Sequence, residues 1–271
     1  MTTFINAELN GINATNIDMI LDLFYRQGFV VVNGDSLPDG HQLEYLSNAL
    51  NLGDPFRSDY NQKYFPNKNR SLKSEIGKKE QNKDDYKHPV FEQSDALEQH
   101  VDGTFSPLGE VKTTVLMCKT PAQSGGDSTL FNAYGAIKQI ESESPALANA
   151  FKDSNAFRRK SAFENIDVEF IDSAFGIDEL YKREVIRLAF DSSADWAYGF
   201  ERVPHLKEAY ERLIDIKDND SDFFLQFKLN KGDVIIMDNT RITHGRTSFR
   251  QNHAEPRMMI RSVHKLLPGR S

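Results

Sequence analysis

Two potential metal ligands, His100 and Asp102, stand two positions apart in the segment EQHVDGTF. Residues i and i+2 of a β-strand point to the same face, so both side chains could reach one metal ion. In a chain with 7 His and 40 Asp+Glu among 271 residues, about one such His-x-acid pair is expected by chance. His253 and Glu255 form a second pair of this kind. The pair at His100 therefore needs a third ligand from elsewhere in the chain.

His244 is the candidate for that third ligand. It lies in KGDVIIMDNTRITHGRTSF, where we expect an apolar strand, a turn over DNTR, and His244 on the returning strand of a hairpin. A core histidine bonded to the backbone is the alternative. Two imidazoles and a carboxylate on one side of a metal, with the other positions open, are the arrangement of non-haem Fe(II) oxygenases. The sequence therefore predicts an Fe(II) site formed by His100, Asp102 and His244.

The elements that must position these residues are predicted to be mainly β-strands. The first 55 residues are typical of a helix behind a Thr15 cap, a strand over GFVVVNG and a second helix around residues 43–50. Further apolar runs are typical of strands, and they include VKTTVLMCKT, STLF, REVIRLAF, FFLQF and RMMIRSV. Helices are predicted over residues 134–152 and around residues 206–213.

This order of elements predicts a mainly β fold with flanking helices, built on a double-stranded β-helix, or jelly-roll, core. A parallel α/β sheet is the lesser alternative, because the alternation of strand and helix fails after residue 220. We expect one domain over residues 1–271, since no repeat or linker divides the chain.

Residues 57–99 contain a strongly polar segment without sustained periodicity. It is either a solvated surface excursion or a lid-like insertion over the site. As a lid, the segment would bring Tyr60, Tyr86 and His88 to the pocket.

The composition restricts the class of partner. A net charge of −7 and a pI near 5.6 argue against nucleic-acid binding, which would require a basic face. No run approaches the roughly 18 apolar residues of a membrane span, and the segment MTTFINAELNG lacks the pattern of a secretory signal. The single cysteine, Cys118, allows no internal disulfide and favours a reducing cytoplasm. We therefore expect a cytoplasmic protein that acts on a small molecule and could form a homo-oligomer.

The motifs GFVVVNG, LGDPF, HVDGTF, GGDSTLF, GDVIIMDNTRITHGRTSF and RMMIR occur in this order over most of the chain. In that combination the sequence resembles the Fe(II)/2-oxoglutarate dioxygenases of the TauD/TfdA type, which include taurine dioxygenase and γ-butyrobetaine hydroxylase. The resemblance implies a clavaminate synthase-like fold, with Fe(II), 2-oxoglutarate and O2 as cofactor and co-substrates. It implies His100, Asp102 and His244 as the iron ligands.

The resemblance also implies roles for three further residues. Arg257 and Thr129 would hold the distal carboxylate of 2-oxoglutarate, and a guanidinium fork suits that group. Arg261 would contact an anionic group of the substrate. Arg241 and Arg246 flank His244, and either could take the place of Arg257 as the anion clamp.

The implied reaction is hydroxylation of a C–H bond in a small polar substrate, plausibly an amino acid or a derivative, with release of succinate and CO2. The carboxylate of Asp102 disfavours halogenation, since the halogenases of this group lack it. Desaturation or another oxidative rearrangement, such as isonitrile-type biosynthesis, is a second possible outcome. Two hypotheses outside this chemistry are a jelly-roll metal enzyme that does not use 2-oxoglutarate and a non-catalytic binding domain.

Overall fold

β-Strands dominate the described part of the chain. The computed structural model describes residues 3–4, 7–64, 74–77, 94–161, 166–218, 222–252 and 254–270. The helices are α1 (Ile17–Gln27), α2 (Gln42–Ala49), α3 (Asp59–Tyr64), α4 (Ala133–Glu143), α5 (Pro145–Ala150), α6 (Ala197–Phe200) and α7 (Leu206–Ile216). The strands up to the first ligand strand are β1 (Phe29–Val32), β2 (Ser74–Gly77) and β3 (Leu97–His100). The strands after it are β4 (Thr113–Thr120), β5 (Ser124–Gly125), β6 (Ser128–Phe131), β7 (Phe157–Lys160), β8 (Glu169–Asp172), β9 (Phe175–Asp178), β10 (Arg183–Ile186), β11 (Ala194–Asp195), β12 (Phe224–Phe227), β13 (Val234–Asp238), β14 (Thr243–Arg246), β15 (Phe249–Arg250) and β16 (Met258–His264).

Two antiparallel sheets form the core. The major sheet has the strand order β1-β13-β4-β16-β2, and the minor sheet has the order β12-β6-β14-β3. Non-consecutive strands are neighbours in both sheets, as a jelly-roll requires. The predicted jelly-roll core is confirmed, and the parallel α/β alternative is wrong because the strand pairs within both sheets are antiparallel.

Apolar side chains fill the space between the two sheets. Alternate residues of β13, Ile235 and Met237, point inwards from the major sheet and pack in one cluster with Leu130 of the minor sheet. The intervening residue Ile236 points to the other side and packs with α1 and α2. Helices α4, α5 and α7 cover the outside of the minor sheet, where Phe131 is fully buried. Residues 234–237 of β13 are therefore all apolar because both faces of the strand are covered.

Two local expectations from the sequence are corrected. The strands β13 and β14 do not form a hairpin, since β13 pairs with β1 and β4 whereas β14 pairs with β3 and β6. The connection between them crosses from one sheet to the other. The cap of α1 is Asn16, whose side chain accepts a hydrogen bond from the Met19 N–H, and not Thr15. Arg257 lies directly before β16 and lines the same cleft as Met259, whereas Arg261 lies within the strand.

Only parts of the predicted lid-like insertion can be located. Residues 57–64 include α3, and β2 adds an edge strand to the major sheet beside β16. Tyr60 lies on α3, whereas Tyr86 and His88 lie outside the described residues. The lid stays a prediction. No helix in the described ranges combines the length and the hydrophobicity that a membrane crossing requires.

Candidate metal centre

His100, Asp102 and His244 converge between the two sheets. His100 ends β3 and is paired in register with His244 of β14, so both imidazoles point to the inner face of the minor sheet. Their ring centroids are 4.6 Å apart. Asp102 follows β3, and one ligand atom from each of the three residues lies within 4.8 Å of the other two. The structure therefore brings together the three ligands predicted from the sequence.

Both imidazoles are in the neutral form that binds metal. The Nδ1 of His100 lies 2.9 Å from the Glu98 carbonyl oxygen. A carbonyl oxygen only accepts, so Nδ1 carries the proton and Nε2 keeps its lone pair for a metal. Burial lowers the pKa of both histidines, and the pKa of His244 falls to about 3. The Nε2 of His244 lies 3.7 Å from Asp102 Oδ2, on the side where the three ligands meet.

The carboxylate of Asp102 is held in the ionised form. Burial acts to raise its pKa, but the positive charge of Arg261, with the hydrogen bond from Thr114, outweighs burial and the pKa falls to about 2. Arg261 Nη1 lies 2.5 Å from Oδ1, and Thr114 Oγ1 donates to Oδ2 at 2.7 Å. Two neutral imidazoles and one carboxylate are therefore presented together to a cation.

Asn239, which was not predicted from the sequence, fixes the backbone of Asp102. Its Nδ2 donates to the carbonyl oxygens of Asp102 and Val111, each at 3.0 Å. Its Oδ1 accepts from the N–H of Asp102 at 2.7 Å. The available signal was the position of Asn239 in the DNTR turn, directly after β13 and five residues before His244.

The side chain of Arg257 is buried and, in the described part of the chain, has no acidic partner. Its side chain lies against the ring of Phe249, with Cζ 5.3 Å from the ring centroid, and the residue is 5% exposed. Within the described ranges the guanidinium forms no hydrogen bond or ion pair. Burial lowers its pKa, although an arginine stays charged at neutral pH. A buried cation without a counter-charge is suited to an anionic ligand.

The space in front of Arg257 depends on glycine. A Cβ placed on Gly126 would lie 3.1 Å from Arg257 Nε, and Gly126 has a φ of 71°. Ser128 lines the same small cleft as Arg257, together with Gly126, Cys118 and Met259.

The side chain of Thr129 does not point towards Arg257. It pairs with Gly245 on the outer face of the minor sheet, whereas its neighbour Ser128 pairs with Arg246 on the inner face. The Thr129 hydroxyl accepts a hydrogen bond from Gln99 Nε2 at 2.6 Å. The structure thus corrects the prediction for Thr129: Ser128 is the hydroxyl on the side of Arg257, because successive strand residues point to opposite faces.

The two arginines that flank His244 have contacts of their own. Arg241 lies over the ring of Tyr134 at 4.8 Å, outside the space between the sheets. Arg246 points inwards, and its Nη2 donates to the Asp95 carbonyl oxygen at 2.7 Å. Arg246 lies close enough to Arg257 for their charges to interact, and the pKa of Arg246 falls to about 10 through burial and that repulsion. The inward arginines Arg246 and Arg257 make one end of the space strongly cationic.

Two stacked aromatic rings lie close to the segment of Asp102. Tyr60 of α3 stacks on Phe105, with ring centroids 4.4 Å apart and an interplanar angle of 9°. The Tyr60 hydroxyl lies 2.9 Å from Ser161 Oγ, directly after β7. The predicted pocket residue Tyr60 therefore links α3 to two segments that border the metal ligands.

Comparison with known proteins gives one family over nearly the whole chain. Residues 3–263 match the family described as taurine catabolism dioxygenase TauD, TfdA family. A uridine-5'-phosphate dioxygenase from Amycolatopsis sp is 28% identical over 254 residues, covering 90% of this chain and 87% of that protein. Human γ-butyrobetaine dioxygenase is 29% identical over 147 residues, covering 50% and 35% of the two chains.

A solved structure has a similar fold. An asparagine oxygenase, in complex with Fe(II), 2S,3S-3-hydroxyasparagine and succinate, superposes with a TM-score of 0.64 at 18% identity. The match covers 93% of this chain and 80% of the asparagine oxygenase. At this level of identity the likeness is one of fold.

Proposed function

Because the chain belongs to the TauD/TfdA dioxygenase family, we propose that it hydroxylates a C–H bond of a small polar substrate, with release of succinate and CO2. The family and the enzyme class predicted from the sequence, a dioxygenase dependent on iron and 2-oxoglutarate, are confirmed by the family match. Hydroxylation, the substrate and the roles of individual residues are the proposed part.

The convergence of His100, Asp102 and His244 carries the proposal. Two neutral imidazoles and an ionised carboxylate fit Fe(II), and three protein ligands leave coordination positions for other molecules. When bound, iron supplies the coupling between oxidative decarboxylation of 2-oxoglutarate and oxidation of a substrate C–H bond. The part of this chain is to hold the ligands in the correct protonation state and orientation.

Arg257 and Ser128 hold the distal carboxylate of 2-oxoglutarate in this proposal. The buried guanidinium offers two parallel N–H donors to a carboxylate, which a lysine would not. Ser128 faces the same cleft and adds a hydroxyl donor. It replaces Thr129, which is bonded to Gln99 on the other face of the sheet.

The substrate is small and polar. Amino acids or their derivatives are the first candidate class, as expected from the sequence, and the likeness in fold to an asparagine oxygenase supports this class. A nucleoside monophosphate is the second candidate, favoured by the 28% identity to a uridine-5'-phosphate dioxygenase over 90% of the chain. Arg261, whose guanidinium lies on Asp102, stays a proposed substrate contact beside the metal ligands.

One experiment tests the proposal in two stages. Anaerobic addition of Fe(II) and 2-oxoglutarate should give a visible charge-transfer band that neither compound gives alone. Oxygen and a panel of amino acids and nucleoside monophosphates should then give succinate in proportion to substrate oxidised. A product that gains one oxygen atom supports hydroxylation, whereas a product that loses two hydrogen atoms indicates desaturation. Substrate oxidation without succinate would instead favour a metal enzyme that does not use 2-oxoglutarate.

Three broader expectations stay predictions. They are the cytoplasmic location, a homo-oligomeric state, and the division of the chain into one domain with a lid over about residues 57–99.

A further inference from the structure

Arg159 projects towards the metal ligands from a strand outside the two core sheets. On β7, Phe157 and Arg159 point one way, and Phe157 is fully buried in the core. Arg158 points the other way and is bonded to Asp195 through Nε and Nη2. Adjacent arginines on one strand therefore have opposite environments, as the alternation of strand side chains requires.

Asp191 holds the Arg159 guanidinium by one nitrogen. Arg159 Nη1 donates to Asp191 Oδ1 at 2.7 Å, and the two side chains are only 12% and 17% exposed. Among the residues that the structure describes, the buried Arg159 Nε has no hydrogen-bond partner. Within the described ranges Nη2 has no hydrogen bond either. The Nε–Nη2 edge, which binds carboxylates and phosphates in a bidentate manner, is thus left unbonded.

This arginine–aspartate pair lies beside His100. Ala189, two residues before Asp191, forms a β-bridge with His100, and the Phe190 N–H donates to the carbonyl oxygen of Gln99. The charges of Arg159 and Asp191 both act on the pKa of His100, and that of Arg159 also acts on the pKa of Tyr60. Arg159 therefore lies near both the metal ligand His100 and the stacked ring of Tyr60.

A chain of contacts also connects Arg159 with the segment of Asp102. Ser161, two residues after Arg159, is bonded to Tyr60, and Tyr60 stacks on Phe105. Phe105 in turn follows Asp102 by three residues. These contacts connect the unbonded guanidinium edge of Arg159 with the segments that carry two of the metal ligands, His100 and Asp102.

We propose that the Nε–Nη2 edge of Arg159, oriented by Asp191, binds an anionic group of the primary substrate, a carboxylate or a phosphate. This inference rests on the proposed function and makes an anionic group a requirement for a good substrate. Arg257 binds the co-substrate at the cationic end of the space between the two sheets. Each of the two anions therefore binds to a different arginine.

Two pairs of probes test the inference on the full-length protein loaded anaerobically with Fe(II) and 2-oxoglutarate. Each pair matches a compound that carries an anionic group with a form that lacks this group, namely uridine-5'-phosphate with uridine, and L-asparagine, which carries an α-carboxylate, with L-asparagine amide. Binding is followed as a shift of the charge-transfer band. At least one anionic probe should bind about tenfold or more tightly than its counterpart, as expected for a charge-assisted hydrogen bond. The pair that responds distinguishes a phosphate from a carboxylate.

The variant R159Q should abolish that preference, and R159K should restore part of it. The matched control is R158Q, on the outer face of the same strand, which should bind the probes as the wild type does. Iron binding and the charge-transfer band with 2-oxoglutarate should be unchanged in R159Q, since a variant that merely unfolds β7 would not preserve them. Absence of any preference in the wild type, or its persistence in R159Q, would overturn the inference. Absence of the band in the wild type would instead contradict the proposed function.

Discussion

Asn239 and Asp102 are joined by two hydrogen bonds between the amide side chain of one residue and the backbone of the other. The amide oxygen accepts from the Asp102 N–H, and the amide nitrogen donates to the Asp102 carbonyl oxygen. Both residues are buried. A side chain with a donor and an acceptor is needed, so neither aspartate nor leucine could replace Asn239. The turn after β13 thereby positions the carboxylate that follows β3, although 137 residues separate them.

Removal of this amide should loosen the metal site. We expect N239A to weaken Fe(II) affinity by about 10- to 100-fold, the usual effect of losing a partner behind a metal ligand. The measurement is an anaerobic Fe(II) titration in saturating 2-oxoglutarate. N155A is the matched control, because Asn155 is exposed and its Nδ2 bonds only to Asp153 of its own turn. Unchanged Fe(II) affinity in N239A would show that Asp102 keeps its orientation without the amide.

Asp102 should be indispensable for hydroxylation. D102A removes the anionic ligand and leaves Arg261 without its carboxylate partner, so we expect loss of substrate oxidation. Succinate formation and product mass are the measurements, with E255A as the control. Glu255 belongs to the second His-x-acid pair of the sequence, and its replacement should leave activity unchanged. Wild-type product formation by D102A, with ordinary iron and 2-oxoglutarate, would contradict the proposed ligand set.

Ser128 and Thr129 should differ in their effect on 2-oxoglutarate. We expect S128A to raise the KM for 2-oxoglutarate by about tenfold, the loss of one hydrogen bond to a charged group. T129V should leave that KM close to the wild-type value and act mainly on stability, because the Thr129 hydroxyl is bonded to Gln99. Steady-state succinate formation at varied 2-oxoglutarate gives both constants. The reverse order of effects would restore Thr129 to the role predicted from the sequence.

The choice between Ser128 and Thr129 could not be predicted from the sequence. The alternation of side chains predicts that one of two adjacent hydroxyls faces the site, but it does not say which one. That choice is set by the register of β6 against β14, where Leu130 lies opposite His244. Register depends on long-range pairing, which a local pattern does not contain.

The strands themselves were predictable, whereas their partners were not. A buried strand over residues 233–237 and a strand carrying His244 were both expected from the sequence, but as one hairpin. A jelly-roll separates consecutive strands into facing sheets, so the short DNTR connection crosses the core and does not reverse along one sheet. The metal ligands could still be predicted, because residue types and motif order identify them even when the connections between the strands are unknown. Asn239 and Arg159 could not, since their roles depend on contacts between distant segments.

A fourth prediction concerns acid stability and depends on His264, a fully buried residue of β16. Its Nδ1 donates to the Gly53 carbonyl oxygen at 3.2 Å, and burial lowers its pKa from 6.5. Below pH 6.5 His264 is therefore protonated in the unfolded chain but stays neutral in the folded protein. As the pH falls, the free energy of unfolding decreases by up to about 1.4 kcal/mol per pH unit. Urea unfolding of the metal-free protein at pH 7.5 and pH 5.5 should give a smaller decrease for H264Q than for the wild type. H41Q is the control, since His41 is exposed on the surface before α2. Equal decreases for H264Q and the wild type would mean that other buried groups, and not His264, determine the loss of stability in acid.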